Sequence, residues 1–419
     1  MTEKNDSIDR RGFLRTLGAA GLASVLASGD GIAGPDTARG ESQKPEFPQV
    51  PKRKLGKTGL KVPCLSLGGN QDLLENQIVL RRAPQWGVVL WDTAPIYRGG
   101  NSEIGIGRAL ARDPKVRKSL LLASKASEAR SVEHVEKLLQ TSLKSMNTEY
   151  IDLYCGVHRL GDPAQLTDEL KQWAENAKKR KLIRFLGFST HANMAQNLAA
   201  AAKLDWIDFI VTRYNFRMMQ DAAMQNAIDA CHKNGIGLIA IKTLAFGQRG
   251  RRRGPGRSDE GGDDQKLFDH FLKRGFTEAQ AKLKCVLQDE RFSSVCVGMQ
   301  NMSQLTANVA AALDKTKLSQ TDREVLRRYA DATCSEYCSG CAHICDAAAP
   351  DVPGISDIMR YLMYYNSYGD RAEARRLFAQ VPPQVKKRLL STDYRLAEAR
   401  CPQHLPIGEL VSEAVSKLA

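Results

Sequence analysis

The chain is poor in aromatic residues (6%), has no long uninterrupted apolar run, and carries no G-x-G-x-x-G after its first strand-like segment. Each shortage excludes something. The apolar stretch near the N-terminus, ending at about Ser28, is short and glycine-rich, whereas a spanning helix takes about 20 apolar residues. No stable membrane span is expected. The missing glycine fingerprint argues against an open doubly wound dinucleotide fold. The formal net charge of +14 raises the question of nucleic acid. The basic residues, however, lie in N-terminal arginines, in QRGRRRGPGR (248–257) and in helix-face runs such as AKKRKLIR (177–184). Neither interleaved aromatics nor a DNA- or RNA-binding motif accompanies them, so no nucleic-acid partner is expected and the basic loop reads as a solvated insertion.

At the N-terminus Arg10 and Arg11 are followed by Phe13, Leu14 and the basic Arg15, then by an Ala/Gly-rich run. The order resembles a twin-arginine (Tat) export signal; the alternative is an amphipathic first helix. Residues 29–47 are polar and rich in Gly and Pro and read as a linker. Residues 1–47 are therefore set apart as signal and linker. The resemblance implies a Tat-machinery partner and a periplasmic or otherwise exported location, reached folded and with any cofactor loaded beforehand.

Between 60 and 300, eight apolar runs alternate with helical patterns: 62–69, 87–94, 119–125, 150–158, 183–190, 206–215, 235–244 and 293–299. Strands buried on both faces read as continuous apolar runs, as these do. In SVEHVEKLLQTSLKSM (131–146), Val132, Val135, Leu138, Leu139, Leu143 and Met146 recur at three- and four-residue steps and form one apolar helix face. Eight strand–helix units predict an α/β chain, a (β/α)8 TIM barrel over residues 48–318, with an open doubly wound sheet as the alternative. RKLGKTGLKV (53–62) predicts a hairpin at the barrel bottom. After about 318 only helical patterns follow, and residues 319–419 read as a smaller helical domain.

Catalytic groups of such barrels stand at the C-terminal ends of strands. Asp92, Lys125 and His158 close the second, third and fourth runs, and Tyr97 follows Asp92 on the same loop. Singly each has a bland reading: helix cap, surface lysine, core histidine, loop packing. Jointly they form a chemical set. A tyrosine can protonate a carbonyl, a neighbouring ammonium tunes its pKa, a carboxylate anchors that ammonium, and a histidine orients the substrate oxygen. The set suits hydride transfer to a carbonyl.

WDTAPIYRGGNSEIGIGRAL (91–110), SK (124–125), DLYCGVH (152–158) and LGFSTH (186–191) resemble the aldo/keto reductase superfamily. The resemblance covers roughly residues 52 to 315 and implies the same barrel, a small aldehyde or ketone substrate, NADP or NAD as cofactor, and no metal at the catalytic centre. It makes Tyr97 the acid, Lys125 its tuner, Asp92 the anchor and His158 the orienter. For the cofactor it implies Ser189, together with Gly298, Gln304 and Asn308 in GMQNMSQLTANV (298–309). Other family contacts differ: Thr190 and Val211 replace two nicotinamide-binding polar residues, Ile241 replaces the stacking aromatic, and Ala307 replaces an acidic residue. The segment IAIKTLAFG (239–247) resembles an iron–sulfur-bearing branch of the family. A non-catalytic barrel with a relic tetrad is the rival reading.

Ten cysteines remain to be placed. Cys64, Cys155, Cys231, Cys285 and Cys296 are scattered through the chain and read as buried thiols. CSEYCSGCAHIC (334–345) and Cys401-Pro402 resemble the remains of a two-cluster ferredoxin, in which the last cysteine of one run serves the other cluster. The resemblance implies one [4Fe–4S] cluster on Cys334, Cys338, Cys341 and Cys401, with Cys345 as the alternative fourth ligand. The cluster would either staple the tail or serve an electron-transfer partner. Zinc and disulfides are the alternatives.

Overall fold

The computed structural model describes residues 47–246 and 263–419. The export-signal segment and the basic run 248–257 lie outside the described residues. A short antiparallel hairpin, β1 (Lys52–Lys54) and β2 (Lys61–Pro63), comes first. Then follow β3 (Leu65–Gly68), β4 (Leu90–Asp92), β5 (Leu121–Lys125), β6 (Ile151–Leu160), β7 (Ile183–Thr190), β8 (Phe209–Arg213), β9 (Gly237–Ile241) and β10 (Ser294–Gly298). These eight are parallel and close in chain order, β10 against β3, with helices around them. This is the expected TIM barrel rather than the open sheet.

Two apolar layers hold it. Outside the strands, helix and strand side chains such as Trp91, Tyr154, Phe188, Leu198 and Ile228 form one continuous core. Inside, Leu90, Ala123, Leu153, Phe209, Val211 and Ile239 fill the lumen together with Leu55 and Val62 from the hairpin. The hairpin thus plugs the bottom as its sequence predicts. It is pinned there by the Lys57 amide, which donates to the Gly235 carbonyl at 2.6 Å. The helix predicted over 131–146 runs Val132–Ser145, and the Ser131 hydroxyl caps it by accepting from the His134 amide at 3.2 Å. At Gly187 on β7 a Cβ would overlap the Phe209 carbonyl of β8, so only glycine fits that strand contact.

β6 extends beyond its sequence-predicted end at His158, to Leu160, because irregularities after Cys155 and Val157 reset its register with β7. Arg159 adopts φ 69° there. Its amide donates to the Ser189 hydroxyl at 3.0 Å, which fixes this unusual backbone.

The C-terminal region is helical and has its own apolar core, including Val352, Ile358, Leu362, Leu377, Phe378, Leu410 and Val411. Its central helix, Ile355–Asn366, is buried on nearly all sides. The region sits across the C-terminal rim of the barrel. Loops after β4 to β9 reach it through Arg98–Asp370 (3.1 Å), Glu128–Arg376 (2.6 Å), Arg159–Glu373 (3.6 Å), the Asn193 amide to the Gly340 carbonyl (2.8 Å), Arg213 to the Cys338 carbonyl (2.5 Å) and Phe246 against Tyr368 (ring centroids 5.3 Å apart). Among the described residues no helix is long and apolar enough to cross a membrane.

Candidate active site

Asp92 and Lys125 are the last residues of neighbouring strands β4 and β5, and both are buried. The Lys125 ammonium donates to Asp92 Oδ1 at 2.6 Å and to the Thr93 carbonyl at 2.7 Å. Burial works against the ammonium, but Asp92 outweighs it and holds Lys125 protonated above the usual lysine range. Tyr97 opens the turn Tyr97–Gly100, where Arg98 and Gly99 both take positive φ and reverse the chain. The reversal leaves the Tyr97 ring with its centroid 5.0 Å from the Lys125 ammonium. Burial raises the Tyr97 phenol and outweighs Lys125, so the group is protonated at neutral pH. Lys125 still pulls the phenol downward, as its place beside Tyr97 implies, but the depth of the site outweighs it.

The His158 ring lies 6.2 Å from the Tyr97 ring, centroid to centroid and edge-on. Its Nδ1 is bonded to the Ser127 hydroxyl at 2.7 Å, and Nε2 has no hydrogen-bond partner among the described residues. Burial, then Arg159, Lys125, Arg360 and Lys242, hold the imidazole far below its ordinary pKa. It is neutral, as a group that polarises a carbonyl without taking its proton must be. The four residues singled out from their strand ends thus share one rim.

Several groups at this rim escaped sequence reasoning, because the tail supplies them or addresses them. Tyr364 and Arg360 enter on the helix Ile355–Asn366. Lys242, just after β9, sits 4.7 Å from the Tyr364 ring centroid and 4.4 Å from that of Tyr368. His191, buried, lies 6.5 Å from His158, ring to ring, with Nδ1 unpartnered. The only signal in sequence is the density of tyrosine and arginine in RYLMYYNSYGDR (360–371), which helix periodicity alone reads as core.

The cofactor positions are less uniform. Ser189 is fully buried and its hydroxyl oxygen is engaged by the Arg159 amide. Thr190 spends its hydroxyl on the Leu160 and Ala192 carbonyls, and Val211 is apolar core. Gly298 is exposed, with open space where a Cβ would stand. Gln304 and the buried Asn308 lie on the helix Met302–Leu313, capped by Asn301; Gln304 accepts from the Gln300 amide at 2.8 Å. In the loop after β3, both amide atoms of Gln71 are buried without partners. An exposed glycine, helix-borne amides and an orphaned carboxamide fit a dinucleotide at this rim.

All ten cysteines are free thiols. Burial raises the thiols of Cys338, Cys341 and Cys345, and neighbouring cysteines add to it: Cys401 acts on Cys338, Cys338 and Cys401 act on Cys341, and Cys338, Cys341 and Cys401 act on Cys345. Cys334, half-buried in the turn Cys334–Glu336, faces Arg217 of the barrel. Among the described residues no group of three or more His, Cys, Asp or Glu side chains is placed to hold a metal ion.

Residues 66–327 match the Aldo/keto reductase family. The chain is 26% identical over 325 residues to L-glyceraldehyde 3-phosphate reductase of Escherichia coli (strain K12), covering 67% of this chain and 93% of that protein. It is 25% identical over 298 residues to L-galactose dehydrogenase of Arabidopsis thaliana, covering 66% and 92% of the two chains. In fold it is similar to the holo form of aldo-keto reductase AKR11C1 from Bacillus halodurans, with TM-score 0.55, 24% identity, and 68% and 97% of the chains covered. With a closed barrel and the family match spanning most of it, the chain belongs to the aldo/keto reductase family of NAD(P)-dependent oxidoreductases.

Proposed function

We propose that this chain interconverts an aldehyde or ketone and the corresponding alcohol, with Asp92, Tyr97, Lys125 and His158 as its catalytic set. The observation that carries the reading is the buried Lys125–Asp92 pair, 2.6 Å apart, beneath the Tyr97 ring and beside a neutral His158. Ser189, Gln304, Asn308, Gly298 and the orphaned Gln71 would hold the dinucleotide, and the nicotinamide would supply the hydride. His158 Nε2 orients the carbonyl oxygen. Tyr97 delivers the proton to that oxygen, and Lys125, held charged by Asp92, stabilises the phenolate left behind. The relatives' names, a reductase and a dehydrogenase, agree with carbonyl–alcohol chemistry. Tyr97→Phe is expected to lower kcat by about 100-fold or more while nicotinamide binding, followed by fluorescence, survives. Unchanged turnover would remove Tyr97 from the role.

The same reading includes one [4Fe–4S] cluster held by the C-terminal region. Its support is the ferredoxin-like spacing of Cys334, Cys338, Cys341 and Cys401-Pro402, with Cys345 as the alternative fourth ligand. An anaerobic preparation should show a broad visible absorption band that Cys338→Ser abolishes; colourless, iron-free protein would sink the cluster. Export by the twin-arginine route, to the periplasm or beyond the cytoplasm, is supported by Arg10, Arg11, Phe13 and Leu14. Replacing both arginines by lysine should leave the protein in the cytoplasmic fraction.

A further inference from the structure

The rim around Tyr364 holds more positive charge than the chain neutralises. Lys242 meets two tyrosine faces and, among the described residues, makes neither an ion pair nor a hydrogen bond with its ammonium; the buried Asp370 carboxylate acts on it from farther off and is itself paired with Arg98 at 3.1 Å. Arg360 is 4% exposed. Its Nη2 donates to Asp357, a half-exposed carboxylate, at 2.7 Å, its guanidinium also acts on the Tyr364 hydroxyl, and its Nη1 is buried without a hydrogen bond of good geometry. The guanidinium carbon lies 5.6 Å from the centroid of the same Tyr364 ring that Lys242 faces. Arg159 reaches Glu373 at 3.6 Å, but Glu373 also serves Arg376 at 2.8 Å, and Arg159 Nε is buried without a partner. The one carboxylate of the catalytic set, Asp92, is committed to Lys125.

Buried cations with unfilled donors are costly unless an anion completes them. Three cations, Arg159 from the end of β6, Lys242 from the loop after β9 and Arg360 from the tail, direct that demand at one place. Burial alone would raise the Tyr364 phenol, yet Lys242, Arg360 and Arg159 bring it down to about 7. The same three cations all act on His158, which places them beside the group that orients the carbonyl.

We propose that Lys242, Arg159 and Arg360 form a subsite for an anionic group, a carboxylate or a phosphate, carried by the carbonyl substrate itself. The inference rests on the reductase reading above and narrows its substrates to acid-bearing aldehydes and ketones. The tail is then a working wall of the site, since Arg360 reaches the rim only from the helix Ile355–Asn366.

Calorimetric titration of the full chain with 4-formylbenzoate and with uncharged 4-formylbenzamide tests it. The acid is expected to bind at least about tenfold tighter, the scale of one charge-assisted hydrogen bond. Lys242→Met and Arg360→Gln should collapse that gap, while Arg360→Lys, which keeps the charge, should retain part of it. Equal affinities in the unaltered protein, or a gap that survives in both Lys242→Met and Arg360→Gln, would overturn the subsite. Repeating the titration with saturating NADP separates the two sources of anion. Acid binding that persists supports the proposal; displacement by the dinucleotide assigns the cations to its pyrophosphate and overturns it. Turnover of the uncharged aldehyde reports on the reductase reading separately. Turnover without acid preference defeats the subsite alone, and acid binding without any turnover defeats the reductase reading alone.

Discussion

Tyr97 and Tyr364 are two phenols at one rim whose surroundings drive them in opposite directions. Tyr97 has one nearby ammonium, already paired with Asp92, and burial keeps it protonated. Tyr364 faces three cations that outweigh burial and lower it to about 7. The sign of the resulting pH dependence follows from linkage. A phenol whose folded pKa lies below its unfolded value of about 10 adds stability that is fully present above pH 10 and lost as pH falls through 7. Denaturant midpoints should therefore rise between pH 7 and 10, by up to about 1.4 kcal/mol per pH unit at the steepest, and Tyr364→Phe should remove that slope. A tyrosinate absorbance band titrating near pH 7, absent from Tyr364→Phe, is the spectroscopic counterpart. A band appearing only near the ordinary tyrosine range would show that the cations act elsewhere.

Among the elements, the hairpin β1–β2 bears the clearest stability consequence. Leu55, fully buried, projects into the lumen with Phe209 and Ile239, so Leu55→Ala leaves a cavity the closed barrel cannot collapse around. A loss of about 2–5 kcal/mol is expected in equilibrium unfolding; a loss near zero would mean that the hairpin does not plug the lumen. This element and the eight barrel strands were legible in sequence because period and apolar continuity are local properties. Asp92 and Lys125 were legible for a related reason, since a strand end fixes where a side chain emerges, and His158 lies close enough to the end of β6 to be found the same way. Lys242 and Arg159 were not. Each carries a positive φ at a strand end (60° and 69°), and nothing in IKTL or VHRL announces which way such a residue turns. Arg360 and Tyr364 were less legible still, because their meaning depends on docking against loops some 200 residues earlier in the chain, and buried cations in a helix look like surface charge until a partner surface covers them.

At the scale of the whole molecule, barrel and tail are joined by ion pairs at three successive loops, Arg98–Asp370, Glu128–Arg376 and Arg159–Glu373. The middle pair is the most exposed of the three, so it suits a double-mutant cycle. Glu128→Gln and Arg376→Gln should couple by no more than about 1 kcal/mol, as surface pairs do, and lose that coupling in high salt. Coupling that resists salt would mean that this edge of the rim is drier than it looks. The docked tail also gives the molecule an order of events. During synthesis the barrel emerges first, and the remaining hundred or so residues follow about 5–20 s later at ordinary translation speeds. Until they arrive, the Lys125–Asp92 pair stands under an open mouth without Arg360 or Tyr364 above it. The nascent barrel therefore has room for a dinucleotide to enter before its roof is in place, and the proposed anion subsite would be completed only when translation is nearly finished.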